Sequence, residues 1–101
     1  MYILQIKIDV TPSKQREFEH AVSHILTLMP HSEQIKWEIS KEMCRPNMFT
    51  YSVEWETEEQ MQQHFQHEDF RTLMGAMKAL GSIKNARIVT SDSVRDFPLD
   101  D

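Results

Sequence analysis

A single cysteine, Cys44, leaves no partner for an internal disulfide, and no His or Cys stands at metal-ligand spacing beside it. A reducing compartment is the expected setting. No stretch approaches the ~20 consecutive apolar residues that a membrane span needs. The opening MYILQIKIDV lacks the basic start and long apolar centre of a secretory leader, so a cytoplasmic protein is expected. Basic residues are outnumbered, 11 Lys plus Arg against 16 Asp plus Glu for a net charge of −5. That balance argues against a phosphate backbone or an anionic membrane as partner. An RNA-recognition module is further opposed by the lack of a basic-glycine-aromatic string. There is no internal repeat and no linker composition, so residues 1–101 read as one domain. That length buries roughly 60 to 70% of the unfolded chain's surface.

What is present alternates and recurs. Tyr2, Leu4, Ile6, Ile8 and Val10 stand out of phase with Ile3, Gln5, Lys7 and Asp9, the period-two pattern of a half-buried strand. Thr11 and Pro12 then read as a helix cap and a first helical residue. The helix they open carries Phe18, Ala21, Val22, Ile25, Leu28 and Met29 on one stripe and is closed by Pro30. Ile35, Trp37 and Ile39 mark a second strand, and Arg45-Pro46-Asn47 turns it back into a third as a hairpin.

The stretch from Phe49 to Phe70 organises the remainder. Phe49, Tyr51, Val53 and Trp55 share one strand face. Thr57 ends the strand, and with Gln60 three residues later it fits a capping box. In the helix that follows, Met61 and Phe65 lie four apart, and His64 sits at the edge of the same face. The cluster Gln66-His67-Glu68-Asp69 predicts a break. A further helix then carries Phe70, Leu73, Met74, Met77 and Leu80, with Gly81 in a left-handed cap. A last strand is expected over Ala86–Val94, at an edge or pairing. Phe97 and Leu99 in the tail 95–101 predict that this segment docks. The order βαββαβ gives an α+β, ferredoxin-like fold: a four-stranded antiparallel sheet with helices on one face, its other face polar through Gln5, Lys7, Lys36, Glu38, Ser40, Thr50, Ser52 and Glu54.

Five histidines, His20, His24, His31, His64 and His67, can titrate near neutral pH. His20 and His24 sit at i, i+4, but no glutamate follows His20 as in HExxH, and their surroundings read as a solvated face. No metal site is expected. His64 is the candidate for chemistry, since burial beside Met61 and Phe65 would lower its pKa toward a neutral imidazole able to accept a proton. Its plain alternative is a core-edge histidine bonded to backbone. Trp37, Tyr51 and Trp55 could line a pocket for a flat ligand, or serve as ordinary core. Met61, Met74 and Met77 could line a cavity or fill the core.

A strand ending in Trp55, a helix carrying His64 and a helix opening with Phe70 together resemble the antibiotic biosynthesis monooxygenase family. The resemblance implies a dimeric α+β barrel of two ferredoxin-like protomers, each with a pocket between sheet and helices, and a tail able to dock on the partner protomer. It implies a cofactor-independent monooxygenase that oxidises a quinol, phenol or polyketide-like aromatic with dioxygen. His64 would be catalytic, and Trp37, Tyr51, Trp55, Met61, Phe65 and Phe70 would bind the substrate. Haem degradation is not implied, because Gln5 stands where such relatives use an asparagine. Val53 occupies the place of a glutamate many members carry, and His31-Ser32-Glu33-Gln34 that of a glycine common before the second strand. The alternative is a non-catalytic dimeric small-molecule binding or sensor module on the same scaffold.

Overall fold

A computed structural model describes residues 1–28 and 36–97. Strand β1 (Tyr2–Asp9) leads through a 3-10 turn (Pro12–Lys14) into α1 (Gln15–Leu28); β2 (Lys36–Lys41) and β3 (Met48–Trp55) follow, then α2 (Glu58–Phe65), α3 (Glu68–Leu80), β4 (Ser82–Val89) and β5 (Val94–Asp96). All pairings are antiparallel, in the order β2-β3-β1-β4-β5. The α+β, antiparallel architecture is the one expected, with five strands in place of four.

The alternation in β1 does what its period dictates. Leu4, Ile6, Ile8 and the following Val10 are fully buried, opposite Val53, Tyr51 and Phe49 on β3 and near Ala86 and Ile88 on β4. Phe18, Val22 and Leu26 of α1, Met61 of α2 and Phe70, Leu73, Met74 and Met77 of α3 belong to the same cluster, which puts the helices on one face of the sheet. Leu26 is buried in addition to the expected stripe, and Ala21 and Ile25 flank it half-buried. Met29, Pro30, His31, Ile35 and Leu99 lie outside the described residues, as does the side chain of Leu28. No helix among the described residues is long and apolar enough to cross a membrane.

Four local expectations are corrected. Thr11 precedes a 3-10 turn and its side chain caps nothing; the turn is closed by Lys14 N–H donating to the Thr11 carbonyl (2.9 Å). Gly81 is not left-handed but extended, at φ −148° and ψ −170°. Helix α3 runs directly into β4 there, and a Cβ at Gly81 would meet Ile8 Cγ2 at 2.7 Å and the Asp9 carbonyl at 2.9 Å. The residue is small because β1 passes against it. The predicted strand over 86–94 starts earlier and is broken: Thr90 Oγ1 accepts from the Asp92 and Ser93 amides (3.3 and 3.1 Å), folding Thr90–Ser93 into a turn. Thus β4 is an inner strand beside β1, and the short β5 forms the edge. Finally, Trp37 is 40% exposed. It stands on the helix-side face opposite Val53, but on β2, the other edge strand, whose described side chains are mostly exposed.

On the face away from the helices, Gln5 pairs with Ser52 and Arg87, Lys7 with Thr50 and Asn85, and Glu38 with Ser52. Arg87 Nε donates to Gln5 Oε1 at 3.2 Å.

Candidate functional site

The end of β3 and the two helices after it build one aromatic nest. Trp55, the last residue of β3, is held on the core face by the strand's alternation. The chain then turns at Thr57, whose hydroxyl accepts from the Gln60 amide (3.2 Å) while Gln60 Oε1 accepts from the Thr57 amide (3.2 Å). This capping box fixes the start of α2, and three residues beyond the fully buried Met61 it delivers His64 over Trp55. The helix stops at Gln66. His67 then caps α3, its Nδ1 accepting from the Asp69 amide at 3.1 Å, and the new helix brings in Phe70.

Ring centroids lie 5.1 Å apart for Trp55 and His64, 5.4 Å for Trp55 and Phe65, 5.3 Å for His64 and Phe70, and 5.1 Å for Phe65 and Phe70. Phe97, just past β5, adds its ring at 4.9 Å from Phe65 and 6.2 Å from Phe70. Of the residues singled out in the sequence, Trp55, His64, Phe65 and Phe70 are therefore joined in a closed circuit of four ring contacts. Met61 and Tyr51 are buried in the adjoining core. Trp37 is on the open edge and takes no part in the ring contacts. Sequence reasoning places Phe97 in a docking tail but not in this nest; its signal is an aromatic in an otherwise polar ending.

Two polar atoms stand out inside this apolar setting. Trp55 Nε1 and His64 Nε2 are buried and have no hydrogen-bond partner among the described residues. Each unmet group of this kind costs about 1–3 kcal/mol. Burial, aided by the charge of nearby His67 and opposed by Asp69, pushes the His64 pKa down to about 4, so the imidazole is neutral at pH 7. Burial also drives the Tyr51 hydroxyl well above its ordinary range, keeping it protonated. A neutral imidazole with such a low pKa is a weak base. Against a phenol of pKa near 10, the mismatch of about six units corresponds to about 8 kcal/mol, so His64 is suited to hold a hydroxyl proton and not to strip it unaided.

His20 and His24 are exposed on α1, and among the described residues no three His, Cys, Asp or Glu side chains gather as a metal site would require. The nest is closed. A cleft of about 330 Å³ opens elsewhere, between α1 and the β2–β3 edge, lined by Glu19, Val22, Ser23, Ile39, Ser40, Lys41 and Phe49. A second hollow of about 240 Å³ lies around the Thr90–Ser93 turn and Arg95. Neither is lined by His64 or Trp55.

The family model for antibiotic biosynthesis monooxygenases matches residues 1–76, a span that contains every nest residue except Phe97. No curated protein matches the chain. Among solved structures, a conserved protein from Methanosarcina mazei superposes with a TM-score of 0.74 at 18% identity, over 96% of this chain and 92% of that one. A Deinococcus radiodurans protein provisionally assigned as an antibiotic biosynthesis monooxygenase gives 0.72 at 14% identity, over the whole of both chains. A further structure named an antibiotic biosynthesis monooxygenase gives 0.72 at 13% identity, over 97% and 99%. At these identities the likeness is one of fold.

Proposed function

The chain belongs to the antibiotic biosynthesis monooxygenase family, and from that premise we propose that it oxidises a small electron-rich aromatic with dioxygen at the Trp55–His64 nest, without a resident cofactor. The substrate class is a quinol, phenol or polyketide-like ring. The observation that carries this reading is the pair of buried nitrogens, unpartnered among the described residues, on two rings whose centroids lie 5.1 Å apart. A hydroxylated ring has the groups to satisfy both: the Trp55 indole N–H donates to a ring oxygen, and the neutral His64 imidazole bonds a ring hydroxyl. Phe65 and Phe70 supply flat apolar walls, and Met61 an adaptable one.

Such a site needs to do little to the substrate. An electron-rich phenol, once desolvated and partly relieved of its proton, passes an electron to dioxygen by its own chemistry. Where an activated ring methylene is oxidised, two C–H bonds are broken and a carbonyl forms. The four electrons released reduce one dioxygen, whose atoms end in the carbonyl and in one water. A quinol gives up two electrons and two protons and leaves hydrogen peroxide. Since His64 is too weak a base to complete the proton transfer alone, its bond to the hydroxyl acts with the electron transfer, which makes that proton acidic.

We further read the protein as a homodimer in which the polar sheet faces close a barrel, working in the cytoplasm, where the exposed Cys44 thiol stays reduced. The test of function is oxygen uptake in metal-chelated buffer with a panel of hydroquinones and polyphenols, for the native chain and His64→Ala. Uptake that the substitution abolishes in a folded protein supports the reading. Equal uptake in both removes His64 from its role, and binding without uptake moves the protein to the alternative of a small-molecule binding module.

A further inference from the structure

Phe65 is the ring on which the nest turns. It touches Trp55, Phe70 and Phe97 at 5.4, 5.1 and 4.9 Å and is itself only half-buried. Its outer support is the segment Val94–Phe97. That segment is held by three ladder pairs to β4, by the Phe97 amide donating to the Ala86 carbonyl at 2.9 Å and by an Arg95–Glu58 ion pair of 3.5 Å whose side chains are about half exposed. All three residues of β5 are exposed. An exposed ion pair contributes about 0–1 kcal/mol, and a short edge strand with few buried contacts belongs to the least stable parts of a domain. Among the described contacts, the ring-to-ring tie of the segment to the helices is Phe97 against Phe65 and Phe70.

We propose that Val94–Phe97 is a latch: the Phe97 ring wedges Phe65 and Phe70 shut over Trp55 and His64, and a planar aromatic ligand gains entry by taking the place of that ring. The burial of the two nitrogens and their lack of described partners then have one explanation, because the polar atoms that a ligand would satisfy lie behind rings that an edge segment props in place. An aromatic ring is the ligand class that the exchange favours, since it restores against Phe65 and Phe70 the ring contacts that Phe97 gives up. Glu58 opens α2, the helix that carries His64, so the Arg95–Glu58 pair ties the latch to the same element that it encloses. The identity of the ligand rests on the functional reading above; the latch itself does not.

The experiment follows Trp55 fluorescence in a Trp37→Phe background, excited at the red edge of indole absorption so that the buried indole and not tyrosine emits, with acrylamide as quencher. Phe97→Ala is expected to raise the quenching constant severalfold while leaving the circular dichroism spectrum unchanged. The converse variant locks the latch. Residues 89 and 94 form a pair without mutual ladder hydrogen bonds, the closer kind of antiparallel neighbour, so Val89→Cys with Val94→Cys in a Cys44→Ser background can be oxidised to a bridge. The bridge is expected to lower quenching below that of the reduced form and to slow the binding of 1-naphthol. Quenching that is unchanged in a folded Phe97→Ala overturns the latch; should that variant not fold, unchanged quenching on bridging overturns it. If both variants move Trp55 exposure as expected but 1-naphthol leaves the His64 NMR titration untouched, the latch stands and the ligand reading falls.

Discussion

The Trp55 and His64 rings meet at 5.1 Å, and each brings to that contact a buried nitrogen that no described residue hydrogen-bonds. A core built only for stability would place apolar rings there, as it does with Phe65 and Phe70 alongside. Removing one of the two polar atoms should therefore separate stability from binding.

His64→Phe is expected to keep or slightly raise stability at pH 7, by up to about 1 kcal/mol, because an unsatisfied buried nitrogen is replaced by an apolar ring, while phenol binding is lost. Urea unfolding and calorimetric titration measure the two sides. A variant less stable than the native chain by more than about 1 kcal/mol would mean that the imidazole is structurally bound in a way these contacts do not account for.

The same residue sets a pH dependence. Unfolded, His64 titrates near 6.5; folded, near 4. Between these values the unfolded chain holds the extra proton, so stability is full above about pH 6.5 and falls as the pH drops toward 4. After discounting for solvent reaching a half-buried ring, the loss is about 1–2 kcal/mol. Thermal melts at steps from pH 7 to pH 4 should show a steeper decline for the native chain than for His64→Phe. Parallel declines would place the pKa of His64 near its ordinary value.

Thr57→Ala removes one half of the capping box and should cost about 1 kcal/mol, with Thr57→Ser close to neutral. The effect should be local. Helix α2 has eight residues and buries only Met61, so it leans on its cap more than α1 or α3 does. Hydrogen exchange is expected to rise across Glu58–Phe65 while β1 stays protected; uniform loss across both would show that the cap supports the whole fold.

How far the sequence could be read follows from which forces are local. The alternation of Phe49, Tyr51, Val53 and Trp55, the Thr57–Gln60 box and the polar break before Phe70 are each written within a few residues, and each is found where expected. What depends on distant chain is not legible. Gly81 is dictated by Ile8 and Asp9, more than seventy positions away. Thr90–Ser93 alternates like a strand, yet its hydroxyls fold it into a turn. Trp37 has the pattern of a buried residue and is left open because β2 falls at a sheet edge. In the nest, Phe97 comes from a segment that only β4 pairing carries back to α2 and α3.

The two glycines offer a paired test. At Gly81, alanine should destabilise by about 1–3 kcal/mol because its Cβ has no room beside Ile8 and the Asp9 carbonyl. Asparagine, which a left-handed cap would tolerate, should be at least as harmful. Gly75, inside α3, has nothing within 4 Å of the place a methyl group would take, so Gly75→Ala should stabilise by about 0.5–1 kcal/mol through helix propensity. Chemical denaturation of the three variants decides. A well-tolerated asparagine at Gly81 would overturn the close-approach explanation.

The last prediction concerns the face of the sheet away from the described helices. Its central strands carry Gln5 and Lys7 against Ser52, Thr50, Asn85 and Arg87, and the Gln5–Arg87 bond orders two long polar side chains across β1 and β4. If a second copy packs on this face to close the barrel, the side chains there must fit their own image across a two-fold axis. Ser52 is small and lies on the inner strand β3, beside Gln5, so enlarging it with a charge should separate the copies without disturbing the core on the opposite face. Sedimentation or light scattering is expected to give twice 12.0 kDa for the native chain and 12.0 kDa for Ser52→Arg at micromolar concentration. A native chain already at 12.0 kDa would remove the barrel, and the polar face would then be simply a solvated one.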